Sequence, residues 1–72
     1  MKAPDWALDL VKHLPPLVPE EETAAFFKVS TKTVKRWRNL KRLSAVRTDR
    51  NGSGRVLYAR TELARLVAEM SD

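Results

Sequence analysis

The chain has no cysteine, a single histidine and only two glycines in 72 residues. Without cysteine there is no disulfide, no thiol nucleophile and no cysteine-based zinc site. His13 has no His, Cys or paired carboxylate beside it at ligand spacing, so it reads as a solvated side chain and not a metal ligand. Ser30 has no base partner in the sequence that would make it a nucleophile. No catalytic set emerges, and neither enzyme activity nor a cofactor is expected. Long apolar runs are missing too: none approaches the ~20 residues of a membrane-crossing helix. A basic-then-apolar signal segment is also absent from the first residues. The expectation is one small cytoplasmic domain with no membrane association. A chain this short is near the lower limit for a self-sufficient core, which leaves little room for a buried cleft. At 43% hydrophobic and 32% charged residues, it reads as folded.

One further absence points toward a function. Ten of the fourteen Lys and Arg residues fall between Ser30 and Arg60, against one acid, Asp49. Residues 1–29 carry three bases and five acids, and residues 61–72 carry one base and three acids. The formal charge of +5 therefore divides as −2, +9 and −2 along the chain. A concentrated positive segment framed by acidic ones is the footprint of a duplex-binding surface.

Pro15, Pro16 and Pro19 separate a leading segment from the rest. Ahead of them, Ala3, Trp6, Ala7, Leu10, Val11 and Leu14 form one side of a helix expected from about Pro4 to Leu14, with Asp5, Asp9, Lys12 and His13 opposite. Residues 1–16 are thus expected to be an amphipathic helix and proline-rich linker, and residues 17–72 the main domain. A second helix is predicted from about Glu20 to Phe27. Glu20, Glu21 and Glu22 complement the positive end of its dipole, which accounts for an acidic run that superficially resembles a metal site. Lys28 and Val29 form a tight turn, and Ser30 caps a third helix from Thr31 to about Leu40. Ala45–Thr48 and Arg55–Tyr58 read as a hairpin around a Gly52- and Gly54-containing turn. Thr61 is expected to cap a last helix with Leu63, Leu66, Val67 and Met70 on its apolar face. The fold class is mainly α with a small β-hairpin wing.

On the third helix, Val34 and Trp37 face inward while Lys32, Lys35, Arg36 and Asn39 occupy the opposite arc. Three cations and an amide able to make paired hydrogen bonds suit the edges of bases in a major groove. An ordinary solvated face would interleave Glu with Lys to form i,i+4 pairs, and this stretch has no acid from Ser30 to Thr48. The Ser30 and Thr31 hydroxyls sit at the helix start, where free backbone N–H groups also hold phosphate. Arg38 lies near the buried stripe in phase and would have to reach past the helix edge to a phosphate. In the hairpin, Arg47, Arg50 and Arg55 surround Asn51 and Ser53, and the glycines allow close approach to a phosphate or a minor groove. The expected DNA contacts are therefore Ser30, Thr31, Lys32, Thr33, Lys35, Arg36, Arg38, Asn39, Arg47, Arg50, Asn51, Ser53 and Arg55.

The stretch from Pro19 to Trp37, with its Val29-Ser30-x-x-Thr33-Val34-x-x-Trp37 core, resembles the MerR-like winged helix-turn-helix of phage excisionases. Leu43-Ser44-Ala45-Val46-Arg47, the glycine-containing turn and Thr61-Glu62-Leu63 extend the resemblance over roughly residues 18–67. It implies a recombination directionality factor with no enzyme activity of its own. Copies of such a protein bind double-stranded DNA beside a prophage attachment site and bend it. They help a phage integrase excise the prophage and disfavour integration, in the nucleoid of a bacterial host. The resemblance puts the helix beginning at Ser30 in the major groove and the 49–54 wing in the adjacent minor groove.

Two departures carry expectations of their own. The family often has Gly where Lys41 stands, so the third helix is expected to end differently or extend further. The helix before Pro15 lies outside the minimal family pattern and is expected first to pack on its own domain, with self-association through Trp6, Leu10 and Leu14 or contact with integrase as alternatives. A phage or plasmid transcriptional regulator of the same fold is the alternative function. A protein-interaction adaptor with a basic docking face is a third. RNA binding fits less well, because the basic faces lack the exposed aromatics that stack on unpaired bases.

Overall fold

Prolines set the first boundaries. In the computed structural model, which describes residues 3–47 and 55–71, helix α1 spans Asp5–Val11 directly after the extended Pro4. It stops a turn short of the expected Leu14. Pro15 disfavours helical dihedrals at the residue before it, and the Arg60 guanidinium supplies the donors that a further turn would have offered. Its Nη1 donates to the carbonyls of Lys12 at 3.4 Å and Leu14 at 2.9 Å. Of the expected apolar stripe, Ala7 and Val11 are buried, whereas Trp6 and Leu10 are each 49% exposed.

The sequence predicts no strand ahead of the second helix, but at the start of the main domain the structure has one, β1 (Leu17–Pro19). Pro19 is already extended (φ −60°, ψ 155°), and on an edge strand a missing N–H is tolerated. The hairpin strands are β2 (Ala45–Arg47) and β3 (Val56–Ala59). The three form an antiparallel sheet in the order β1-β3-β2. Val18 and Ala45 both pair with Tyr58, from opposite sides.

Helix α2 (Glu20–Phe27) and helix α3 (Thr31–Asn39) lie where the sequence predicts them. Both end in the same way. After α2, Val29 N–H donates to Ala24 O and Lys28 N–H to Ala25 O; after α3, Arg42 N–H donates to Trp37 O and Lys41 N–H to Arg38 O. This pairing closes a helix when the residue past its end is left-handed. Lys28 (φ 58°) and Lys41 (φ 62°) take that conformation, in which a β-carbon costs about 1 kcal/mol relative to glycine. The expectation drawn from Lys41 is thereby corrected: lysine adopts the conformation glycine would have had, and α3 does not extend.

Helix α4 (Arg60–Met70) begins directly from β3. Ala59 and not Thr61 is its N-cap residue, and no side chain caps it. The Arg60 N–H instead donates to Pro16 O at 3.0 Å, continuing the β1 pairing into the helix start. α1 packs on α4, and α3 packs on α2. The core joins Ala7, Val11, Val18, Ala24, Val34, Leu43, Tyr58, Leu63, Ala64 and Leu66. Burying each of its leucines contributes about 1.5–3 kcal/mol. Phe26, Phe27 and Trp37 border it edge-to-face, with ring centroids 5.0 and 5.2 Å apart. The described residues are thus mainly helical, with four helices and a small three-stranded sheet.

Candidate nucleic-acid interface

Helix α3 is set by its cap. The Ser30 Oγ accepts from the Thr33 N–H at 3.3 Å and lies 3.2 Å from the Thr33 hydroxyl. Those two hydroxyls thus order the first turn while staying at its surface. Val34 is completely buried and Trp37 half-buried against Phe27, which turns the opposite arc outward. Lys32, Thr33, Lys35, Arg36 and Asn39 line one shallow depression along that arc. Lys32, Lys35, Arg36 and Asn39 are exposed. Among the described residues, none of those three cations has an ion-pair partner.

A second groove joins α3 to the sheet. It is lined by Pro19, Glu20, Glu21, Thr31, Lys35, Arg55 and Val56. Arg55, just before β3, therefore faces the same concavity as Lys35. Arg47 ends β2 opposite Val56 and is exposed. Arg50, Asn51 and Ser53 lie outside the described residues.

Arg38 differs from its neighbours. Its Nη1 donates to Glu20 Oε2 at 3.3 Å, and the side chain is only 25% exposed. The same carboxylate oxygen accepts the Tyr58 hydroxyl at 2.8 Å. Burial, and then the hydrogen bond to the neighbouring carboxylate, push the Tyr58 hydroxyl up to about 12. It therefore remains a donor throughout the neutral range.

The connection after α3 is pinned from α4. Glu62 accepts from the Ser44 N–H at 3.1 Å and pairs with Arg65 at 3.0 Å. Arg65 also donates to Arg42 O and pairs with Glu69. The Arg65 hydrogen bond holds the Glu62 carboxyl below its ordinary value.

Sequence reasoning assigned Glu20 only to the dipole of α2 and did not foresee its bonds to Arg38 and Tyr58. Nothing in local spacing connects positions 20, 38 and 58. Glu21, which contributes a carboxylate to the groove beside Lys35 and Arg55, was read in the same way. Of the residues considered for self-association, Trp6 and Leu10 are half-exposed and Leu14 is partly buried. Among the described residues, no group of His, Cys, Asp or Glu is placed to hold a metal ion, and no helix is long and apolar enough to cross a membrane.

Residues 20–71 match the family described as Helix-turn-helix domain, a span running from α2 through α4. No curated protein and no solved structure gives a significant match to the chain.

Proposed function

The chain belongs to the helix-turn-helix domain family, and from that premise we propose that it binds duplex DNA sequence-specifically, with α3 in the major groove. One observation carries this reading: α3 presents Lys32, Lys35, Arg36 and Asn39 together on one outward arc without a carboxylate between them. In this reading Lys35, Arg36 and Asn39 meet base edges, while Ser30, Thr31, Lys32 and Thr33 hold the phosphate nearest the helix start. Arg47 and Arg55, with Arg50, Asn51 and Ser53, contact the strand beyond the groove. Arg38, paired with Glu20, approaches the backbone only from the helix edge.

The finer role is that of a DNA-bending accessory factor for integrase-mediated prophage excision, acting in the nucleoid without catalysis of its own. The resemblance of residues 18–67 to excisionases supports it. The preserved end of α3, with Lys41 left-handed at the family's glycine position, supports it further. Trp6 and Leu10 offer a half-exposed apolar surface to a second copy or to integrase.

Gel-shift and circular-permutation assays on the attachment-site region of the source replicon test both levels. The expected result is stepwise complexes with bent DNA, and stimulation of excision when integrase is added. If the cations neutralise about five phosphates, log K falls against log salt with a slope of roughly −4 to −5. Tight, unbent binding at a promoter would instead identify a transcriptional regulator. Salt-insensitive binding without sequence preference would remove the DNA reading.

A further inference from the structure

Helix α3 is seated on α2, whereas β3 packs on its two neighbouring strands and on α2 and α4. The recognition helix thus reaches the base of the wing by way of α2. At that junction stands Glu20, the first residue of α2. Its Oε2 accepts from Arg38, near the end of α3, and from Tyr58, in the middle of β3. A single oxygen therefore ties the two elements that carry the cationic groups. Tyr58 is completely buried and sits on the central strand, with Val18 and Ala45 paired to its two sides. The Val56–Arg47 pair and Arg55 lie two and three residues along the same ribbon, so a displacement of Tyr58 carries the base of the wing with it.

Stability alone does not require this arrangement. A partly buried ion pair contributes little beyond what packed apolar side chains of the same volume would give, and its clearest use is to fix one geometry. Two contact surfaces joined rigidly reinforce each other only when both fit the duplex at once. We propose that Glu20 is a positioning residue for DNA recognition, locking α3 and the wing base at one mutual setting so that they engage a duplex in a single register. The inference rests on the DNA-binding reading above. Its prediction concerns discrimination: the cations continue to attract phosphate when the lock is lost, but they no longer match one sequence.

The test compares wild type with Glu20→Gln and, as a second variant, Tyr58→Phe, which removes only the hydroxyl. Each is verified as folded by circular dichroism. Affinity is then measured for a duplex selected by wild type from a random pool and for a random duplex of equal length. Expected for both variants is about tenfold weaker binding of the selected duplex, with the random duplex changed by no more than about twofold, because backbone attraction is sequence-independent. The loss from Arg55→Ala should also shrink in the Glu20→Gln background, since the wing is no longer held in step. If both variants fold and keep the wild-type ratio of affinities while Lys35→Ala still weakens binding, the positioning role is overturned and the DNA reading stands. Wild type that retards no duplex would overturn both.

Discussion

Helices α3 and α4 both carry basic side chains, yet in opposite states. On α4, Arg60 donates to two carbonyls just past the end of α1, and Arg65 engages Glu62, Glu69 and the Arg42 carbonyl. On α3, Lys32, Lys35 and Arg36 have no ion-pair partner among the described residues. The difference comes from the neighbours. α4 places Glu62 and Glu69 three residues before and four after Arg65, within side-chain reach, while α3 contains no acid at all. An arginine surrounded by acceptors becomes a brace for the fold, and a cation without them remains available to an external anion. Arg38 marks the boundary: it lies on α3, but it finds its acid on α2.

Substitutions in the shared interior should erase the contrast. Val34→Ala on α3 and Leu66→Ala on α4 each remove a fully buried side chain. Both are expected to cost roughly 2 kcal/mol or more in urea unfolding, because a cavity is left behind. The outward faces should then separate the helices. Arg65→Met loses several charge-assisted hydrogen bonds and is expected to cost about 1 kcal/mol. It should also reshape the acid limb of stability. Glu62 has a folded-state pKa below its ordinary 4.5, so its contribution is complete above that value and disappears as pH falls through the lower folded one. Midpoints measured across this acid range should therefore decline less steeply in Arg65→Met than in wild type. Lys35→Met should change stability the least, by no more than about 0.5 kcal/mol, while weakening DNA binding and flattening the salt slope by about one. Equal losses of stability from Lys35→Met and Arg65→Met would break the comparison.

Much of the helical frame was legible in the sequence, because its determinants are local. Ser30 caps α3, the glutamates open α2, and the apolar spacing of α3 and α4 names Val34, Leu63 and Leu66. The outward arc of α3 followed from the same periodicity. What escaped sequence reading depends on distant partners. β1 is three residues among prolines, and it is a strand only because β3 lies beside it. Thr61 looked like the natural cap of α4, but the Pro16 carbonyl moves the helix start earlier. Trp6 and Leu10 share a stripe with Ala7 and Val11, and only the placement of α4 decides which half is covered. Arg38 has the charge of a phosphate ligand. Its pairing with Glu20 depends on how α2 meets the sheet, which residue spacing does not encode.

The central position of β3 also orders events in time. α2 and α3 are neighbours along the chain and can meet as soon as both are made, whereas Leu17 must wait for Ala59, a long loop whose closure slows folding. During synthesis the helix-turn-helix therefore emerges before the strand that completes its sheet. The bond between Glu20 and Tyr58 cannot form until the chain has been made through Tyr58. A ribosome-bound chain that has not yet reached Tyr58 already displays the cations of α3, but without the brace that fixes their setting against the wing.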